Sequence, residues 1–443
     1  MKTAQEYKDS IRKLNPVVYA YGKKIEQVAD HPTFAPTLNS VALTYRMAKE
    51  TENENLMTVK SPFTGKMINR FLHICQSPED LIKRCELSKF LTPFHGACVG
   101  ARCVGTAALN TLYALTCDID RKKRTDYHQR FLKFLSYVQN EDLTCSGMVT
   151  DAKGDRSLGP GQQEDPDVYL RVIEEREDGI VVRGAKAHQS GAALAHFNLV
   201  VPTTSMKEGE KEFAVAFAVP SNAPGMIHIA ETPAPNARRL LENDEMDFGN
   251  FEYGVHGSTL VVFNDVFIPR ERVFMCGEYE FAGAMAATFG TFQRLATAGC
   301  KSGHCDLTYG AAAVAAEYNG CDKLSHIRDK IVEMSFQSAL AFGTAIAAGY
   351  KAKATASGVY LPDDLLVNAA KLQAVDAVWM ASKLACEIAG GVICTVPSQK
   401  DFDNPEIAQY VDKYFKGRAD ISTENRVRIM RLVEYLVGQG SIV

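Results

Sequence analysis

Val181–Gly191 reads VVRGAKAHQSG. Its opening is β-branched and strand-like, and it then runs into a polar turn with His188, Gln189 and Ser190 in series before a glycine. It sits inside a tract, about 141 to 275, where strand and turn signals dominate. Asp167–Glu175 (DVYLRVIEE), Gly179–Ala185 (GIVVRGA), Asn198–Pro202 (NLVVP) and Glu212–Val219 (EFAVAFAV) are β-rich runs bounded by Gly, Pro, Asn or Asp. Ser258–Phe267 (STLVVFNDVF) reads as two short strands about an Asn-Asp turn. Together these predict a β-sandwich or barrel.

On both sides the period changes from two to three or four. Tyr7–Lys13, Asn39–Glu50, Pro78–Leu91 and Gly105–Thr116 space their apolar residues as helices do. Ser77-Pro78-Glu79-Asp80 is a helix start, with a serine cap, proline in the first turn and carboxylates at the positive end. Beyond 278 the chain is alanine-rich, and Phe281–Ala298, Leu307–Tyr318, Leu324–Ala354, Leu365–Ile388 and Asn425–Leu436 read as closely packable helices. The expectation is an α+β protein: a helical domain over 1–140, a β domain over 141–277 and a helical bundle over 278–443. That order is similar to the acyl-CoA dehydrogenase type.

A chain of 443 residues has the length for a sizeable core. With 46% hydrophobic and 23% charged residues and a formal net charge of −4, it reads as an ordinary globular protein. The one dense basic cluster, Arg121–Arg124, reads as a solvated helix end and argues against a nucleic-acid partner. The charged start MKTAQEYKDSIRKLN has no apolar core, and no uninterrupted apolar run approaches the roughly 18 residues of a membrane span. Cytoplasmic location and no membrane partner are therefore expected. Twelve cysteines without a secretion signal argue against a disulfide framework. Cys117, Cys386 and Cys394 read as small core residues. His95–Val104, HGACVGARCV, leaves three readings open for Cys98 and Cys103: metal ligands, redox thiols or core packing.

A second polar loop, Gly147–Arg156 (GMVTDAKGDR), stands where the strands begin. Two donor-rich loops suit a flat heterocycle with a carbonyl edge, and two well-satisfied turns fit as well. SIRKLNPVVYAYGKKIE, DHPTFAPTLNSVALTY, VVRGAKAHQSG, LVVFNDVFIP and EIAGGVICTVPS together carry a resemblance. They are similar to the flavoprotein family that joins 4-hydroxybutyryl-CoA dehydratase/vinylacetyl-CoA Δ-isomerase to the 4-hydroxyphenylacetate 3-hydroxylases. The resemblance runs from about residue 5 to 440 and leans to the dehydratase branch. It implies FAD in a homotetramer, with Met148, Thr150, Asp155, Arg156, Lys186, His188, Gln189 and Ser190 at the flavin. Ala389-Gly390-Gly391 matches the segment by which a neighbouring subunit closes the site. Lys186 reads equally as a steadying charge for an anionic flavin or as a solvated side chain.

The resemblance also implies a [4Fe-4S] cluster that acts as Lewis acid on a leaving hydroxyl, held by three cysteines and a histidine. Cys98, Cys103 and Cys300 fall at or near the cysteine positions, whereas Gln293 stands in place of the histidine. The branch spaces its first two cysteines by four. Five residues leave Cys98 and Cys103 about 140° apart on an ideal helix, so sharing a cluster requires a distortion that Gly96 and Gly100 would permit. His304 or Cys305 is offered as a replacement ligand. A catalytic carboxylate and a tyrosine of the branch correspond to Ser258 and Thr297. His256 nearby reads as a base or as a satisfied turn histidine. The hydroxylase branch is matched no better, with Gly147 where it carries a histidine and Arg102 displaced. The expected function is proton removal beside the carbonyl of a small CoA thioester or similar activated acid. The alternatives are a two-component hydroxylase using reduced flavin and a catalytically degenerate flavin-binding paralogue.

Overall fold

The computed structural model describes residues 1–231, 237, 240, 244–254 and 257–438. The N-terminal part holds helices α1 (Ala4–Leu14), α2 (Ala35–Met47), α3 (Pro78–His95), α4 (Ala101–Lys123) and α5 (Tyr127–Asn140). Helix α3 starts as expected: the Ser77 hydroxyl accepts from the Asp80 amide at 3.1 Å. Its end is set by Gly96 in the left-handed region, which α3 reaches just after Pro93.

The chain then supplies β3 (Cys145–Met148), β4 (Arg171–Arg176), β5 (Gly179–Ser190), β6 (Phe197–Val200), β7 (Val215–Pro220), β8 (Met226–Ala230), β9 (Ser258–Pro269) and β10 (Val273–Cys276). Two short strands of the helical part join the larger sheet: β1 (Val18–Ala20) and β2 (Lys23–Ile25). The larger sheet runs β2-β1-β8-β9-β5-β4 and the smaller β10-β7-β6-β3. Both are mostly antiparallel, and the parallel pairs are β1 with β8 and β3 with β6. The inner faces meet through Val182, Val261, Phe263, Phe217 and Leu199, all fully buried.

Two sequence expectations are corrected here. Ser258–Phe267 is one continuous strand, because the Asn-Asp step makes a bulge with Asp265 at φ 56° rather than a reversal. The turn expected at 186–190 is likewise strand, paired with β9 up to Ser190 opposite Ser258.

The C-terminal part holds α6 (Ala282–Tyr318), α7 (Ser325–Tyr350), α8 (Asp364–Ala389) and α9 (Thr423–Gly438). The two helices expected at 281–298 and 307–318 are one 37-residue helix. The polar stretch Lys301–Asp306 between them continues the helix, and its Ser302, Gly303, His304 and Cys305 pack inward. By length and composition alone Ser325–Tyr350 and Asp364–Cys394 are apolar enough to cross a membrane, and core helices of this length pass the same test. One continuous core draws on all three parts, from Ile68 of the N-terminal part through the sandwich to Ala374 of α8.

Candidate active site

The site is built where α3 ends, α4 begins and α6 crosses both. Gly299 and Gly303 on α6 face α3 so closely that a Cβ would stand 2.3 Å from the Cys85 carbonyl and 2.6 Å from that of Lys89. Glycine is what lets Cys300 reach this depth. Gly96 (φ 56°) ends α3 and Gly100 (φ 59°) precedes α4, so Cys98 lies on a loop rather than on a helix. The ideal-helix separation of the two thiols therefore does not apply. Cys98 and Cys103 look into one cavity of about 220 Å³ together with Cys300. Gln293, Thr297 and Ser190 line the same cavity.

His95 also lines it, a residue that sequence reasoning quoted but did not assign. It is 2% exposed, and its Nδ1 accepts from the Ala97 amide at 2.9 Å. That bond assigns the proton to Nε2. Burial lowers the His95 pKa to about 3, so the ring is neutral. His95 Nε2 and Gln293 Oε1 are both buried without a hydrogen-bond partner among the described residues. The Gln293 amide nitrogen approaches Cys103 Sγ at 3.9 Å. Cys103 hydrogen-bonds to Cys98, which holds the Cys98 pKa down and, with burial, pushes that of Cys103 well up. Burial also raises Cys300.

The cluster that the resemblance implies does not fit this donor set. Three thiols line the cavity, but Gln293 at the fourth position offers an amide in place of a ring nitrogen. Among the described residues no imidazole lone pair is free for the cavity: the proton on His95 is assigned to Nε2, and His304 Nε2 bonds to the Leu436 carbonyl at 3.2 Å. Cys305 is fully buried in the core between α6, α8 and α9. Both replacement ligands offered by sequence are engaged elsewhere: His304 shares the α6 stripe of Gln293, Thr297 and Cys300 but is held by the Leu436 carbonyl, and Cys305 packs into the bundle core.

The two polar loops meet as neighbours. The Ala187 amide and the Gln189 amide nitrogen both bond to the Thr150 carbonyl, at 2.8 and 3.1 Å. Lys186 is not the solvated side chain of the second reading. It is 2% exposed, and its Nζ is engaged by Asp151 at 2.9 Å and by the carbonyls of Val149 and Val201. All three donors of the ammonium are thereby engaged. Burial lowers its pKa and raises that of Asp151. The Met148 side chain lies in the main core, and its carbonyl accepts from the Val201 amide. Asp155 is exposed and accepts from the amide and hydroxyl of Ser157. Arg156 and Lys153 line a second cavity of about 490 Å³ with Thr203, Thr204, Ser205 and Glu210.

His188 adopts φ 58°, and its amide and Nδ1 both bond to Glu231 Oε1. Ser190 and Ser258 face each other with their hydroxyls 3.4 Å apart. His256 lies outside the described residues. Arg102 is turned away from the cavity, stacked 4.0 Å over Tyr45 and bonded to Thr44. At the end of α8, Ala389 is buried, whereas Gly390 and Gly391 are exposed and a Cβ on either would meet nothing within 4 Å.

Helices, sandwich and alanine-rich bundle in this order define the acyl-CoA-dehydrogenase-like class of folds. A glutaryl-coenzyme A dehydrogenase shares that fold at TM-score 0.50 and 14% identity, over 98% of this chain and 90% of that one. Residues 3–275 match the 4-hydroxyphenylacetate 3-hydroxylase N-terminal family and residues 282–441 its C-terminal counterpart, and the chain belongs to this family. It is 42% identical to the 4-hydroxybutyryl-CoA dehydratase/vinylacetyl-CoA-Delta-isomerase of Clostridium aminobutyricum, over all of this chain and 92% of that protein. An oxygen-tolerant archaeal 4-hydroxybutyryl-CoA dehydratase from N. maritimus is similar at TM-score 0.96 and 40% identity, over 98% of this chain and 86% of that one. The oxygenase component of 4-hydroxyphenylacetate 3-monooxygenase, complexed with FAD and 4-hydroxyphenylacetate, follows at TM-score 0.87 and 25% identity, over 100% and 90%. Within the family the chain stands on the dehydratase branch.

Proposed function

We propose that the protein is an FAD-dependent enzyme that removes a proton beside the carbonyl of a small CoA thioester, a dehydratase or isomerase working without the cluster of its branch. The observation that carries this reading is the cavity itself. It joins Ser190, at the end of one polar loop, to Gln293, Thr297, Cys103 and Cys300 on the helices opposite and Cys98 on the loop between them. Both loops suit the flavin: Thr150, Gln189 and Ser190 would lie along the ring edge, His188 at its margin. Arg156 with Lys153 would serve its phosphates in the second cavity. Asp155 holds that loop in shape. FAD bound there supplies a two-electron acceptor or a transient electron store.

His256 is the proposed base, with Ser258 and Thr297 in place of the carboxylate and tyrosine of the branch. A homotetramer is part of the proposal, its support being the exposed apolar rows Val332, Phe336 and Leu340 on α7 and Leu365, Leu372 and Trp379 on α8. The open Gly390-Gly391 turn would then meet a neighbour's flavin, and thiols and soluble cofactor fit a cytoplasmic setting.

The test is to purify the protein anaerobically and measure flavin, iron and acid-labile sulfide per chain, then offer vinylacetyl-CoA and 4-hydroxybutyryl-CoA. About one flavin per chain, negligible iron, and turnover or a thioester-induced change in the flavin spectrum support the reading. Four irons per chain overturn the cluster-free part. Hydroxylation of a phenol with supplied reduced flavin and O2, and no response to thioesters, overturns the rest.

A further inference from the structure

The cavity leaves one buried donor and one buried acceptor of the protein unsatisfied. The donor is His95 Nε2–H: its ring is fixed by the Ala97 amide on Nδ1, and the His95 carbonyl is in turn held by Asn250 at 2.7 Å. The next residue is pinned as well, because the Tyr435 hydroxyl donates to the Gly96 carbonyl at 2.8 Å. His95 is thus a rigid group presented by a rigid loop end. The acceptor is Gln293 Oε1, on α6 opposite. Leaving each unpaired costs about 1–3 kcal/mol, so such groups persist where a ligand completes them. The rest of the lining mixes apolar side chains and thiols with the hydroxyls of Ser88, Thr92, Ser190 and Thr297 and the Lys301 side chain, none of whose polar atoms is a buried orphan. A lining of that kind orients a ligand through its unpaired polar groups.

We propose that His95 and Gln293 form a hydroxyl-recognition pair, His95 Nε2–H donating to the oxygen and Gln293 Oε1 accepting from the hydroxyl of the bound acyl group. A hydroxyl is the smallest group that both accepts and donates, and it answers both orphans at once. The inference rests on the thioester reading above and adds to it the two groups that would select the hydroxyl. His95 is a positioning and specificity-determining residue here. Gln293, standing where the branch places a metal-binding histidine, instead holds the oxygen that a metal would hold.

The experiment compares 4-hydroxybutyryl-CoA with butyryl-CoA, which lacks the hydroxyl, by titrating each into flavin-loaded protein and reading flavin absorbance or heat. The wild type is expected to bind the hydroxylated thioester about tenfold or more tightly. His95→Asn keeps an acceptor for the Ala97 amide and removes the Nε2 donor; it should erase that preference and leave butyryl-CoA affinity within about twofold. His95→Gln restores an amide donor near the Nε2 position and should recover part of the preference. Gln293→Leu should erase it independently, which covers the case in which a His95 variant fails to fold. Equal binding of the two thioesters by the wild type, or an equal loss for both in His95→Asn, overturns the proposal. If neither thioester binds, the thioester reading has failed, and 4-hydroxyphenylacetate against phenylacetate becomes the comparison. A preference for the phenol erased by His95→Asn upholds the hydroxyl pair, and no preference overturns it.

Discussion

The two polar neighbourhoods that flank the cavity are opposites. In the loops at 148–151 and 186–190, polar groups satisfy one another: Lys186 with Asp151 and two carbonyls, Gln189 with the Thr150 carbonyl. On the helices, His95 and Gln293 keep their functional atoms without partners among the described residues, inside a space shared with three thiols. Equal burial thus serves two ends. The loop groups hold a surface in shape for a cofactor; the helix groups await something that is not protein.

The largest effect should come from breaking the satisfied side. Lys186→Met leaves Asp151, itself 3% exposed, as an uncompensated buried carboxylate. Breaking one partner of such a pair costs roughly 3–5 kcal/mol. Chemical denaturation should show that loss, accompanied by reduced flavin retention; the double change Lys186→Met with Asp151→Leu should regain much of it. A loss under 1 kcal/mol would show that the pair is hydrated and the contrast overdrawn.

Gly299→Ala attacks the geometry that the helix side depends on. Its Cβ would meet the Cys85 carbonyl at 2.3 Å, so α3 and α6 must separate. Overpacking of this kind costs about 1–3 kcal/mol. The same separation would move Cys300 and Gln293, so thioester affinity should fall in parallel with the melting temperature.

Much of this frame was legible in the sequence. The change of period at 141 and again near 278 reports sandwich against helix, since alternation and 3.6-residue spacing are direct imprints of which face is buried. The strand β9 and helix α6 were split because Asn-Asp and Lys301–Asp306 look like breaks, and only packing shows that a bulge and a polar helical turn suffice. The thiols Cys98, Cys103 and Cys300 were found, but their meeting depends on two left-handed glycines, which periodicity on an ideal helix cannot register. His95 was missed because nothing in HGACVGARCV says that its Nε2 ends without a partner. That fact belongs to the arrangement of α3, α4 and α6.

Acid tests how dry the buried histidines are, His95 of the cavity among them. Burial lowers His95 and His196 to about 3 and His228 and His304 to about 4, well below an unfolded histidine near 6.5. Below about pH 6.5 the unfolded chain therefore binds protons that the folded chain refuses. Stability is complete above that pH and is lost on the way down to about pH 4, by up to ~1.4 kcal/mol per pH unit for each histidine. Melting temperatures across pH 7.5–4.5 should fall accordingly, and His228→Gln should flatten the slope by about one histidine's share. A profile level down to pH 5 would mean that these rings are solvated.

The smallest effect is the most discriminating. In the satisfied loops every polar deletion should destabilise, because a partner is stranded. Gln293→Leu removes an acceptor that strands nothing, its remaining contact being a 3.9 Å approach to Cys103 sulfur. The buried orphan itself costs free energy in the ligand-free protein, so its removal at similar volume should leave stability unchanged or raise it by about 1 kcal/mol. Denaturant midpoints of ligand-free wild type and variant give that difference directly. A variant that is more stable and yet binds 4-hydroxybutyryl-CoA less tightly marks a group kept for a ligand at the expense of the fold. A clear destabilisation would instead place Gln293 with Lys186, among the groups that hold the scaffold together.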